Sequence, residues 1–386
     1  MKRILFATLA LAACSKDNPY YCENAPDHNC MATDTPDAPV STGCTASTEC
    51  TSESSPVCGD DHACRACELH SECVSAACLP SGACGSDVTV AYASTAGNDA
   101  NPCTNEQPCR TIGAAVATGK PYVKLAGSFD EAVSLSGANV HILADAGTTL
   151  TRTASSGPVL TLQGTSNVAI EGLIIRDGLG NTGDGIRVPS GEAVKLALDH
   201  VSVIDNSGVG VNVLGGTLKM TSCTVSGNKT GGAIIMAAID ITNSLFVANG
   251  ASTSTTGGLT MTPSGSQNAF RFNTVADNVS SSSTLALRGI NCAIPMTISS
   301  TIVSGNLAST YCMFDYSLLA SPTGTNISGD PKFKATDATN PLAADYFRIQ
   351  ASSDAVDHAE PGAAMSTDID GEPRVGAKDI GADEAQ

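Results

Sequence analysis

The chain of 386 residues has no tryptophan, 8 phenylalanines and 7 tyrosines, which leaves little aromatic surface for stacking on sugar rings. Basic residues are scarce. Lys and Arg number 20 against 38 Asp and Glu, and a net charge of −18 excludes a surface built on nucleic-acid phosphates. Charged residues of either sign make up only 15% of the chain, too few for a disordered polyelectrolyte. No apolar run is long enough to span a bilayer as a helix. What is abundant is glycine, at 37 residues, with many Ser, Thr, Asn and Ala, a composition too rich in turns for a helical bundle. An all-β or repeat protein remains. Sixteen cysteines point to an oxidising compartment, and the length allows two or three domains.

The basic start Met1-Lys2-Arg3 and the apolar run from Ile4 to Ala13 read as a signal peptide over residues 1–13. Leu11-Ala12-Ala13-Cys14 resembles a bacterial lipobox, which implies cleavage before Cys14 and a lipid on that cysteine. Ser15, rather than Asp, follows the cysteine and implies sorting to the outer membrane, with exposure at the cell surface. Cleavage removes Lys2 and Arg3 and takes the net charge to −20. Residues 14–43 form the anchor and a tether, rich in Pro and Asp and without apolar periodicity, in which Cys22 and Cys30 can close one loop.

Residues 44–85 hold eight cysteines in two similar halves, Cys44-x5-Cys50-x7-Cys58-x5-Cys64 and Cys67-x5-Cys73-x4-Cys78-x5-Cys84. The dipeptides Glu49-Cys50 and Glu72-Cys73 mark an internal duplication. So short a segment cannot bury an adequate core, and disulfides within each half supply the missing constraint, with three connectivities open for each set of four. His62, Cys64, Cys67 and His70 also have a spacing compatible with zinc, but disulfides account for every cysteine of both halves.

From residue 86 to 330 the chain repeats. Val90 to Cys103, then Gln107-Pro108-Cys109-Arg110-Thr111-Ile112 through Val116, resembles the opening of pectate-lyase-like β-helix proteins. That resemblance implies a strand, a turn stapled by Cys103 and Cys109, and a short capping helix from Ile112 to Ala117 over the end of the first coil. Downstream, Asn206, Asn228, Asn249, Asn278 and Asn306 form one column, with separations of 22, 21, 29 and 28 residues. Three positions earlier stand Val203, Val225, Phe246, Val275 and Val303, and two earlier again Val201, Cys223, Ser244, Asn273 and Thr301. Alternation places both columns on one strand face. The period specifies a β-solenoid of about nine rungs, roughly 40 Å long, with an asparagine ladder in one turn. The fold class is therefore all-β, a right-handed parallel β-helix preceded by a disulfide-rich module. Cys292 and Cys312 stand about one coil apart and are expected to pair, leaving Cys223 as a buried free thiol.

Residues 331–386 carry Asp345-Tyr346-Phe347-Arg348-Ile349 and Asp368-Ile369-Asp370-Gly371-Glu372-Pro373-Arg374, followed by Asp379-Ile380-Gly381-Ala382-Asp383-Glu384. They resemble the choice-of-anchor Q region that closes many bacterial surface β-helix proteins. Asp368, Asp370 and Asp379 could hold calcium; turns plus a pair between Arg374 and a carboxylate are the favoured reading.

One patch of the repeats gathers acids and bases. Asp177, Asp205 and Asp277 precede the ladder position, and Arg176 stands beside the first two, which the alignment puts on adjacent rungs. Glu171 and Asp199 form a second stacked pair next to His200, and Asp184 and Arg187 occupy the loop after the same rung. Asp177, Asp205, Arg176 and His200 are the catalytic candidates. Glu171, Asp199, Asp184 and Arg187 are ligand-binding candidates, and Asp177 with Asp205 is the candidate calcium pair, calcium being the one cofactor considered. The plainer alternative, acidic turn residues on a solvated edge, is favoured because Asp is a common turn residue. His141 and His358 stand apart and read as structural, and Phe270 is the best candidate for an exposed aromatic.

The fold resemblance covers lyases, hydrolases, isomerases and binders alike. The repeats lack the paired Asp-Asp and Gly-His-Gly motifs of polygalacturonases. The expected function is a non-catalytic outer-membrane surface lipoprotein whose solenoid binds glycans or neighbouring surface proteins. A cell-surface polysaccharide lyase or glycoside hydrolase, and a structural spacer, are the alternatives.

Overall fold

A computed structural model describes residues 43–282 and 287–385. The segment read as a signal peptide, Cys14, Cys22, Cys30 and the segment read as a tether, up to residue 42, lie outside the described residues.

In the N-terminal module, Cys44 bonds Cys58 and Cys50 bonds Cys64; in the second half Cys67 bonds Cys78 and Cys73 bonds Cys84. Each half thus joins its first cysteine to its third and its second to its fourth. The sulfurs a zinc site would need are consumed, and His70 Nδ1 accepts from the Cys78 amide at 3.1 Å. Ala77 and Leu79 of the second half pack against Val90, Tyr92 and Tyr122, so the module rests on the start of the repeats.

The repeats are a parallel β-helix of three long sheets, with 10, 8 and 7 strands. Sheet one runs from Val90–Ser94 to Cys312–Asp315, sheet two from Ser128–Asp130 to Ile302–Ser304, and sheet three from Val133–Ser136 to Ile290–Cys292. Alternation dictates which side chains point inward. Lys195–Asp199 buries Leu196 and Leu198 and exposes Lys195 and Asp199. Unbroken register stacks like on like: Val168 pairs with Leu196, Leu196 with Leu218, and Leu218 with Ile239. The result is one apolar core along the shaft. Phe270 belongs to that core at 1% exposure, with its ring 6.0 Å from that of Phe246. It is not an exposed aromatic, because its neighbours in the strand, Ala269 and Arg271, are the ones that face out.

The N-terminal end is closed by the helix Ile112–Ala117, which buries Ile112 and Ala115. Thr111 caps it by accepting from the Ala114 amide, and Cys103 bonds Cys109 beside it. Inside the corner between sheets two and three, Asn206, Asn228, Asn249, Asn278 and Asn306 form a buried ladder. Each Nδ2 of the first four donates to the Oδ1 of the next, at 2.9, 2.9, 3.1 and 3.1 Å. Cys292 bonds Cys312, and Cys223 is a buried free thiol pushed up to about 12 by burial.

The C-terminal residues do not extend the shaft. They lie along the outer face of sheet two, where Leu245, Val247 and Ala276 pack against Tyr346, Phe347, Ile369 and Ala382. A second apolar group joins Phe272 and Ile302 to Ile349, Ala355 and Ile380. Arg374 locks this layer. Its buried guanidinium donates to Glu384, to the carbonyls of Gly381 and Ala382, and to Asn243 of the shaft, 4.8 Å from the Phe272 ring centroid.

Candidate functional site

The candidate acids occupy backbone corners. Between sheets two and three, the residue before the ladder adopts positive φ: 61° at Asp177, 53° at Asp205 and 53° at Asp277, with Gly227 at 68° and Gly305 at 65° on other rungs. Asp is tolerated there better than most residues because its short side chain suits the left-handed region. A conformational requirement, filled by Asp on some rungs, by Gly on others and by Ala248 at 52° on one, accounts for the acidic column. A Cβ on Gly227 would lie 2.5 Å from Asp205 Oδ1, so glycine on that rung admits the carboxylate below it.

The predicted patch divides. Asp177 and Asp205 follow paired strands, Ile174–Arg176 and Ser202–Ile204, so they stand on adjacent rungs. Arg176 joins them, with Nε 3.1 Å from Asp177 Oδ2 and one terminal nitrogen 3.0 Å from Asp205 Oδ2. Partial burial raises the Asp205 carboxyl above its ordinary range, and Arg176 opposes that rise. At the preceding corner, Glu171 and Asp199 are direct register partners on sheet one. His200, itself at a left-handed φ of 50°, sits 2.9 Å from Asp199, and that hydrogen bond raises its pKa. His141 is not isolated: its Nε2 lies 3.6 Å from Glu171 and its ring 6.0 Å from that of Tyr122. The spacing concealed this because the contact crosses rungs.

Asp184 lies in the loop that opens at Asp177, between the strands Ile174–Arg176 and Ile186–Val188, but Arg187 lies beyond it. Arg187 belongs to the sheet-three strand Ile186–Val188 and faces outward, since Ile186 and Val188 fill the core. Asp184 is buried just before that strand, accepting from Arg187 at 3.2 Å, Asn212 Nδ2 at 2.9 Å and the Val209 amide at 2.9 Å. Register extends an outward row from Arg187 through Asn212, Ile234 and Thr260 to Asn291. Asn212 Oδ1 and Thr260 Oγ1 are buried without a hydrogen-bond partner. Such atoms are costly unless a water or ligand satisfies them. Sequence reading missed Asn212 and Thr260. The available signal was a polar residue between two apolar ones in strands that otherwise bury every position.

In the C-terminal layer, Asp368, Asp370 and Asp383 bring carboxylate oxygens within 4.8 Å of one another. Asp383, not Asp379, completes this group; Asp379 instead accepts from the Asp357 and Ala385 amides. Arg348 supplies the countercharge, with contacts of 2.5 and 2.6 Å to Asp370 and 3.7 Å to Asp383. Asp368 is filled by backbone donors from Asp370, Glu372 and Glu384. A groove of about 180 Å³ separates this layer from Ser202 and Thr224 of sheet two. Pockets that enclose small ligands hold about 300 Å³ or more, so the groove does not enclose one.

No known protein family matches the sequence, and no curated protein matches it either. Solved structures resemble it in shape. A pectate lyase, Pel9A, aligns over 77% of this chain and 96% of its own, with 13% identity and a TM-score of 0.41. A pectin methylesterase mutant in complex with a hexasaccharide aligns over 61% of this chain and 71% of its own, with 13% identity and a TM-score of 0.35. The pectin methylesterase PemA from Erwinia chrysanthemi covers 64% of this chain and 73% of its own, with 12% identity and a TM-score of 0.31.

Proposed function

We propose that this protein is an exported surface lipoprotein, anchored to the outer membrane through Cys14, whose β-helix binds a glycan without cleaving it. The supporting observation is the outward row of sheet three. Arg187, Asn212, Thr260 and Asn291 stand on four of five successive rungs, spaced about 4.8 Å apart. An extended polyhydroxylated chain lying across the rungs offers donors at such intervals, and Arg187 would select an acidic substituent. Hydrolysis calls for two carboxylates about 5 to 9.5 Å apart. Arg187 and Asn212 present one, Asp184, already saturated by three donors. The C-terminal layer, with its resemblance to a choice-of-anchor Q region, then serves to cover sheet two rather than to react.

The test uses the full chain with Cys14→Ser on a glycan array, followed by calorimetry and an assay for new reducing ends or unsaturated products. Expected are an acidic oligosaccharide retained intact and at least tenfold weaker binding for Arg187→Ala and Thr260→Val. Turnover, or binding untouched by either substitution, contradicts the proposal. Palmitate-analogue labelling that persists in the Cys14→Ser chain removes the anchor.

A further inference from the structure

The second half of the disulfide module lies on the outer face of sheet one. Ala77 and Leu79 pack there on Val90, Tyr92 and Tyr122 of its first two strands, and Tyr92 is left 5% exposed. His70 stands at the same seam, half-buried. Its Nδ1 accepts from the amide of Cys78, the residue before Leu79. Only the neutral ring can accept there, because both nitrogens of an imidazolium are donors. His70 and Glu171 line one cleft of about 410 Å³ between module and shaft, with Glu68 on the module side. His70 also faces the ion pair of Lys124 with Asp145 on the shaft, and Glu171 is itself shared with His141.

We propose that the second half of the module is an acid-released cover on sheet one, with His70 as its latch. Protonation of His70 turns the acceptor that holds the Cys78 amide into a donor, and sets two N–H groups against each other beside Leu79. It also brings a second cation to the seam. Lys124 is 3% exposed, so its charge acts with little screening, whereas the carboxylates of Glu68, Asp145 and Glu171 reach solvent and attract the new charge less. Burial, and after it Lys124, hold the His70 pKa below its ordinary 6.5, with Asp145 and Glu171 opposing. The closed form therefore binds that proton less readily than the open form. Closure is complete above about pH 6.5 and weakens as pH falls through the lowered pKa. Opening uncovers Tyr92 and Tyr122, while the bonds Cys67–Cys78 and Cys73–Cys84 hold the module itself together.

The test is a pH titration by NMR on the full chain with Cys14→Ser, isotope-labelled at its six histidines and seven tyrosines. Expected are a His70 midpoint below 6.5, movement of the Tyr92 and Tyr122 signals at that same midpoint, and a constant far-UV signal from the shaft. His70→Gln keeps an acceptor for the Cys78 amide but does not titrate, and is expected to abolish the tyrosine shift. Lys124→Met is expected to raise the His70 midpoint. A His70 midpoint at or above 6.5, or one unmoved by Lys124→Met, overturns the proposal. Tyrosine signals that do not follow His70, or that still shift in His70→Gln, overturn it as well. Loss of the far-UV signal over the same range marks unfolding of the whole chain rather than release of a cover, and overturns it equally.

Discussion

Arg176 reaches across one rung to Asp205, 3.0 Å away, while holding Asp177 of its own rung at 3.1 Å. The guanidinium stands where an ion bridging the two carboxylates would have to stand. Two acids stacked at adjacent corners would repel each other if left alone. Here a neighbouring side chain offsets the repulsion, and the pair is held as a structural triad.

Calcium and chelator are therefore expected to leave the melting temperature unchanged. Asp205→Asn is expected to be neutral or to stabilise the shaft slightly, by less than about 1 kcal/mol, because burial disfavours the anion more than its partly solvated pair with Arg176 favours it. On sequence alone the same substitution is expected to be neutral or mildly stabilising through relief of like charge, and the contact with Arg176 narrows that gain without reversing it. A calcium-dependent rise in melting temperature that disappears in Asp205→Asn would restore the metal reading.

The shaft was legible because its determinants are periodic. The column from Asn206 to Asn306 and the apolar column three residues earlier fixed the rung, the inward face and the adjacency of Asp177 to Asp205. The site was less legible. Whether Asp177 is a ligand or a left-handed corner depends on φ, and only the replacement of Asp by Gly in that column hinted at the answer. Asp184 and Arg187 looked like neighbours of Arg176, but the chain turns a corner between them and delivers Arg187 to another sheet. Contacts of the C-terminal layer, such as the 2.7 Å bond between Tyr346 and Ser226, join residues far apart in the sequence and leave no local pattern.

The asparagine ladder supplies a stability prediction. Asn228 Oδ1 accepts from the backbone and side-chain nitrogens of Asn206, while its Nδ2 donates to Val203, Ser226 and Asn249. Asn228→Ala orphans buried partners on both neighbouring rungs, each costing about 1–3 kcal/mol. A loss of roughly 2–5 kcal/mol in chemical denaturation is expected. Asn306→Ala, at the last rung of the ladder, is expected to cost less. Equal effects at the two positions would show that the bonds do not act as a ladder.

Stability should also depend on pH through Asp383. Burial pushes its carboxyl up to about 7, against an ordinary value of 3.8, with the Ile349 amide and Arg348 opposing the rise and Asp368 and Asp370 adding to it. The folded chain therefore keeps a proton that the unfolded chain has lost between those values. The contribution is fully present below about pH 4, declines as pH rises toward 7, and is flat above. One pKa unit is about 1.4 kcal/mol, so the change is at most roughly 4 kcal/mol. Asp383→Asn is expected to flatten that part of the profile and to raise the melting temperature at pH 8. An unchanged pH profile in the variant would exclude Asp383 as the titrating group.

The attachment of the C-terminal layer depends on Arg374. Its side chain is buried, burial pulls its pKa down, and Glu384 and Asp368 work against that fall. The planar guanidinium meets acceptors on several sides at once: Glu384 at 3.0 Å, the Gly381 and Ala382 carbonyls at 2.8 and 2.9 Å, and Asn243 Oδ1 of the shaft at 3.2 Å. Lysine keeps the charge but has three donors on one nitrogen and no flat face to lay on Phe272. Arg374→Lys is therefore expected to cost about 3–5 kcal/mol, close to the loss from breaking a buried pair outright. Because the lost contacts join two layers, the first consequence should be local. Limited proteolysis should cut within residues 331–385 while the shaft stays resistant, and the far-UV signal of the parallel sheets should persist. If the variant instead unfolds in one step with the shaft, the layer is part of the core's cooperative unit and Arg374 is not a separable clasp.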